Sequence, residues 1–133
     1  MLKIVTLRKD YSKLEDQIVN FYAPKYQHPF TKETVKNSAL ICLAFEDDKI
    51  VGGIRAVSDL TRHALIVDLI VDKSYRKNKI GTKLLLALLK ELKKCKVKNI
   101  GLTTEPGVDW LVDFYHKHGF KPLKGSVYLE LED

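Results

Sequence analysis

Apolar positions along the chain change their spacing several times, and each change marks a predicted element. Leu2, Ile4, Val5 and Leu7 predict a strand over residues 2–7, which Lys9 and Asp10 interrupt. Leu14, Ile18, Phe21 and Tyr22 then recur at helical spacing, so residues 11–22 read as a helix. Ser12 is placed to cap it, with Glu15 three residues on as in a capping box, and Pro24 ends it. Pro29 opens a second short helical stretch, with Thr31 as its cap and Val35 as its main apolar contact. Residues 40–45 are an apolar strand, residues 46–49 a turn, and residues 50–57 the returning strand. Gly52 and Gly53 inside that strand predict a bulge or a close approach of backbone. After a turn at 58–62, residues 63–71 complete an antiparallel meander.

Residues 81–95 carry the strongest helical pattern. Ile80, Leu84, Leu88, Leu92 and Cys95 form one stripe, while Lys83, Lys90, Glu91 and Lys94 occupy other faces. Residues 97–103 read as a strand entered directly from that helix. Strand, helix, strand is a crossover unit, so residues 63–71 and 97–103 are expected to run parallel. Residues 107–118 predict a further helix stopped by Gly119, and residues 127–131 a last strand. No repeat, low-complexity tract or linker divides the pattern, so residues 1–133 read as one α/β domain.

Composition narrows the class. The chain has 133 residues, 45% of them hydrophobic and 30% charged, ordinary for one globular domain. Cys42 and Cys95 are too few for a disulfide framework and share no metal-type spacing, so they read as core residues. His116 and His118 stand two apart, off a common helix face, and no metal is expected. The longest apolar run, residues 84–89, is far short of the roughly 20 residues a membrane span needs. Lys3, Arg8, Lys9 and Asp10 interrupt the opening stretch, unlike a signal peptide. The expectation is a cytoplasmic protein without a membrane segment.

Charge matters once it is located. Residues 73–98 hold ten basic residues and one acid, Glu91, so this segment carries +9 and the remainder −3. A concentrated positive field suits a polyanion such as nucleic acid, an acidic membrane surface or a phosphorylated ligand. The lysines from Lys90 onward also read as a solvated helix face. Those nearer Arg76 lie elsewhere: a strand ends at Val71, a short polar loop follows, and a long helix opens near Gly81. Loop amides and first-turn amides lack helical partners, and the helix dipole adds positive potential where they converge. Arg76, Lys77 and Lys79 reinforce that point, which reads as a diphosphate cradle. Gly-Lys-Ser/Thr and the glycine triplet are both absent, so it is neither a P-loop nor a dinucleotide fingerprint.

Val71-Asp-Lys-Ser-Tyr-Arg-Lys-Asn-Lys-Ile-Gly-Thr-Lys-Leu-Leu resembles the acyl-CoA-binding motif of the GNAT superfamily of N-acyltransferases, Arg/Gln-x-x-Gly-x-Gly/Ala. Arg76 matches its first position and Gly81 its last, while Lys79 replaces its middle glycine. Asp113-Phe-Tyr-His-Lys-His-Gly-Phe resembles the family's second signature, Phe/Leu-Tyr-x-x-x-Gly-Phe. The resemblance runs from Leu2 to Leu131 in element order. It implies a mixed, mainly antiparallel sheet with helices on both faces. It further implies that pantetheine wedges between the splayed strands, pairing with backbone at Leu69, Ile70 and Val71. The diphosphate would rest on Arg76 and the amides of Lys77, Asn78, Lys79, Ile80, Gly81 and Thr82. Tyr115 would protonate the leaving thiolate. Val108 stands seven residues before Tyr115, where the family often has an Asn that contacts CoA.

The implied reaction is direct aminolysis of a thioester, with acetyl-CoA as co-substrate and a small-molecule or peptide amine as acceptor. A neutral amine must attack, and the oxyanion needs a donor, for which the Val71 amide or a neighbour serves. Asp68 is the one charge in the run from Leu65 to Val71 and is the candidate base; it also reads as an outward-facing Asp on a half-exposed strand. Period-2 alternation groups it with Ile66 and Ile70. Glu105 is a rival base or substrate contact. Trp110 reads as core or as substrate-binding. Tyr22, Tyr26, His28 and Phe30 read as the acceptor pocket or as a small satellite core. Two other functions stay open: a non-catalytic acyl-CoA-binding module, and a nucleic-acid binder on the lysine helix. The chain lacks the aromatic platform of single-strand binders, so neither nucleic acid nor membrane is expected as a partner. An edge-strand homodimer stays open.

Overall fold

A computed structural model describes residues 1–104 and 109–132 of the protein. Five strands form one sheet in chain order: β1 (Leu2–Leu7), β2 (Leu40–Glu46), β3 (Lys49–Ser58), β4 (His63–Val71) and β5 (Asn99–Leu102). β1 to β4 are antiparallel, and β5 is parallel to β4, as the crossover predicts. The helices are α1 (Glu15–Tyr22), α2 (Lys32–Lys36), α3 (Ile80–Lys94) and α4 (Asp109–Lys117).

Both faces of the sheet are covered, and β2 is apolar on both from Leu40 to Phe45. Leu40, Cys42 and Ala44 pack with Ile80, Leu84, Leu85, Leu88 and Leu92 of α3. Ile41 and Leu43 pack with Ile18, Phe21 and Tyr22 of α1 and Val35 of α2. Truncating one of the buried α3 leucines to Ala would cost about 2–5 kcal/mol. Cys42 sits in this core, and burial pushes its thiol up to about 11, so it is no nucleophile at neutral pH. Leu85 and Leu89 widen the buried stripe of α3, while Cys95 is only half-buried at its C-cap.

Several boundaries depart from the sequence reading. α1 begins at Glu15, and Ser12 does not cap it. Tyr11 is buried and donates its hydroxyl to the Ser38 carbonyl at 2.8 Å, which pins residues 11–14 in a turn. The polar stretch after β4 is a 3₁₀ helix over Lys73–Asn78 rather than an open loop. β5 is four residues long. Residues 127–131 form no strand: Val127, Leu129 and Leu131 stand exposed. Alternation gives a segment an apolar face, but a strand also needs a partner edge, and none of the five strands pairs with it.

Gly52 and Gly53 meet both expectations. The register shifts beside each, between Ala44 and Phe45 on one side and between Gly53 and Arg55 on the other. A Cβ on Gly53 would lie 2.5 Å from the Tyr22 hydroxyl, and one on Gly52 would lie 3.1 Å from Leu84.

Candidate active site

β4 and β5 pair only from His63↔Asn99 to Ile66↔Leu102. Beyond Ile66, β4 runs on to Val71, and among the described residues no strand pairs with its β5-side edge. The Asp72 amide donates to the Val51 carbonyl of β3 at 2.8 Å. The Val71 carbonyl shares that trans peptide unit, so it points the opposite way, toward the open edge. An open edge of this kind can pair with an extended, amide-bearing chain.

A cavity of about 760 Å³ lies against this edge. Leu69, Ile70 and Val71 form one wall, and Trp110, Leu111 and Phe114 of α4 contribute another. The remaining lining includes Arg76, Lys79, Gly81 and Thr82, with Lys25, Lys73 and Asp72 beside them. Among the described residues, four cations against one carboxylate make the lining electropositive. Lys25 reaches it from the turn after α1, with its ammonium 3.7 Å from Asp72 and 3.9 Å from the Phe21 ring centroid.

The start of α3 suits an anion. Its first amides, at Ile80, Gly81 and Thr82, have no helical carbonyl behind them, and the macrodipole is positive there. Lys79 occupies the left-handed region (φ 57°, ψ 28°) where the 3₁₀ helix ends and α3 begins. This backbone conformation is one that glycine adopts freely, which explains how a Lys can hold the place of the motif's middle glycine. Gly81 has an ordinary helical φ, and a Cβ there would meet only Phe114, at 3.9 Å. Among the described residues no neighbour demands glycine at this position, so the bare Cα leaves room there. The diphosphate of CoA therefore fits the cradle these residues form.

The expected binding residues divide as follows. Leu69, Ile70, Val71, Arg76, Lys79, Gly81 and Thr82 meet at the cavity. Lys77 and Asn78 lie in the 3₁₀ helix, and the Ile80 side chain is buried in the α3 core, leaving its amide for the cradle. Tyr115 is buried against Phe114 and Phe120, next to the cavity wall rather than in it. Burial raises its hydroxyl pKa above 10.0, so it holds its proton at neutral pH. Glu105 and Val108 lie outside the described residues. Asp72 and Lys73 stand in the basic stretch already singled out but were given no role, and Lys25, distant in sequence, is marked by no local pattern.

Asp68 carries a correction. It adopts φ 57°, and β4 holds an extra residue there. The left-handed residue breaks the alternation: Ile66, Leu69 and Val71 pack toward α3, whereas Ile70 packs toward α1. The Asp68 carboxylate is not an outward-facing, solvated group. Arg55 Nε donates to its Oδ2 at 2.6 Å and the Tyr26 hydroxyl to its Oδ1 at 2.7 Å. Tyr22 donates to its main-chain carbonyl at 2.8 Å. Tyr22, Tyr26 and Phe30 stack beside it, with Tyr22 and Phe30 in a satellite core and the Tyr26 hydroxyl touching Asp68, while His28 stands exposed. Trp110, by contrast, is exposed and lines the cavity, so it is not a core residue.

Residues 5–120 match the Acetyltransferase (GNAT) family. An uncharacterized N-acetyltransferase, ycf52, of Pyropia yezoensis is 31% identical over 93 residues, which is 67% of this chain and 52% of the relative. The match thus spans about half the length of that relative. A GNAT family acetyltransferase of Streptococcus pneumoniae is 26% identical, with a TM-score of 0.70 over 99% of this chain and 100% of its own. AAC(6')-Iy, solved with the bisubstrate analogue CoA-S-monomethyl-acetylneamine, shares the fold at a TM-score of 0.77 and 12% identity, over 100% of this chain and 99% of its own. The chain belongs to the GNAT family of acetyltransferases, which are acyl-CoA-dependent acyltransferases.

Proposed function

We propose that residues 1–133 form one catalytic domain that moves an acetyl group from acetyl-CoA to a primary amine. The observation that carries this reading is the juxtaposition, in one cavity, of the open β4 edge and the cationic start of α3. Family membership supports it, as does the bisubstrate analogue CoA-S-monomethyl-acetylneamine held by AAC(6')-Iy.

Bound in the cavity, acetyl-CoA supplies the thioester, whose acyl carbon takes the amine and whose sulfur leaves. The protein's own groups do the rest. The open edge at Leu69–Val71 orients the pantetheine, and a main-chain amide there stabilises negative charge on the acyl oxygen. Arg76, Lys79 and the amides from Ile80 to Thr82 hold the diphosphate. Tyr115, protonated at neutral pH, donates its phenolic proton to the departing sulfur. Asp68 takes the amine's proton. The amine's proton becomes acidic as its nitrogen acylates, so the carboxylate can accept it. The acceptor enters from the side of α1, where Tyr26 and Asp68 meet.

The test is a screen of small-molecule and peptide amines with acetyl-CoA, reading free thiol. Turnover with an amine supports the proposal. A chain that binds CoA yet turns over no amine would be the binding module instead.

A further inference from the structure

We propose that Arg76 is a selectivity residue that makes binding of an acyl thioester conditional on its diphosphate. The inference rests on the acyl-CoA reading above and adds a second task to one of its residues. Arg76 Nε donates to the Val71 carbonyl at 3.1 Å. That carbonyl faces the open β4 edge, since its peptide N–H is bonded to Val51 on β3. Arg76 therefore covers the acceptor that a pantetheine amide needs. It does so from within the cavity, five residues along the chain.

A pantetheine amide that reaches Val71 along this edge competes for that carbonyl with the guanidinium. A diphosphate at the start of α3 draws it off, because a planar guanidinium binds phosphate oxygens with two parallel hydrogen bonds. The bond to Val71 is thereby exchanged for stronger ones. An acyl-pantetheine without phosphates offers no such exchange. It must open the cap unaided, and its apparent affinity falls by the fraction of time the edge is open. A charge-assisted bond that is partly in solvent makes that penalty about fivefold. The cap therefore protects the cavity from short thioesters and widens their disadvantage beyond the phosphate contacts alone.

The experiment titrates wild type and Arg76→Met with acetyl-CoA and with S-acetyl-pantetheine. Calorimetry and the fluorescence of Trp110, the only tryptophan, both report binding without turnover. Met keeps the length of the stem and removes both donor and charge. Circular-dichroism melts confirm that both proteins are folded. The expected result has opposite signs: Arg76→Met weakens acetyl-CoA about tenfold and tightens S-acetyl-pantetheine about fivefold. If S-acetyl-pantetheine binding is unchanged, weaker or undetectable in the variant while acetyl-CoA still loses affinity, Arg76 is a phosphate contact only and the cap is overturned. If folded wild type gives neither heat nor fluorescence change with acetyl-CoA, the acyl-CoA reading fails and the cap falls with it.

Discussion

Arg55 on β3 and Asp68 on β4 form a 2.6 Å ion pair at the point where β4 carries one residue more than its neighbour. The pair connects the sheet's irregularity to its chemistry. An αL residue in mid-strand is strained, and Asp tolerates it better than most. Arg55, Tyr26 and Tyr22 hold it there through side chain and main chain. The Arg55 and Asp68 side chains lie at 14% and 19% exposure, so solvent screens the pair only in part. Arg55→Met leaves a carboxylate partly buried without its cation and is expected to destabilise by about 2 kcal/mol. A denaturant double-mutant cycle with Asp68→Asn should show coupling of about 1 kcal/mol. Strict additivity would mean that the contact contributes nothing to stability.

Tyr115→Phe separates acid catalysis from binding. The ring stays packed on Phe114 and Phe120, and only the proton is lost. Thiol release should fall about 100-fold or more, while CoA affinity changes less than about twofold. Full turnover in the variant would assign the proton to another group.

Gly53 and Tyr22 are expected to be coupled by collision. Gly53→Ala brings a methyl to 2.5 Å from the Tyr22 hydroxyl and should cost about 1–3 kcal/mol in thermal or urea unfolding. Adding Tyr22→Phe removes that oxygen and should restore part of the loss, although the ring carbon at 3.1 Å remains close. An Ala variant as stable as wild type would show that the sheet yields easily here.

Asp59 makes stability sensitive to acid. Its Oδ1 accepts from the amides of Thr61, Arg62 and His63 in the turn between β3 and β4. These bonds favour the ionised form and lower its folded pKa far below the ordinary 3.8. A depressed folded pKa means the contribution is complete above 3.8 and is lost as pH falls through the folded value. The melting-temperature gap between wild type and Asp59→Asn should be widest at neutral pH and close only in strong acid. A gap that stays constant down to pH 2 would rule out this linkage.

Much was legible in the sequence because it depends on neighbours along the chain. The apolar period separated strands from helices, the crossover set β5 parallel to β4, and Gly119 ended α4 with φ 93°. The strand, the basic turn and the helix start around residues 71–81 were readable too, since they are contiguous. What tertiary structure decided involved partners far apart in sequence. Tyr11, bonded to Ser38, moved the start of α1 by several residues. Asp68 looked like a lone charge on an alternating strand, and only folding set Arg55 and Tyr26 against it and reversed the alternation beyond it. Trp110, ambiguous by pattern, became a cavity wall because folding sets α4 and the end of β4 around one cavity. Residues 127–131 kept their alternation yet formed no strand, since pairing requires a second edge that no local pattern can supply. Local spacing specifies which face of an element is apolar; which element meets that face is settled by packing the whole chain at once.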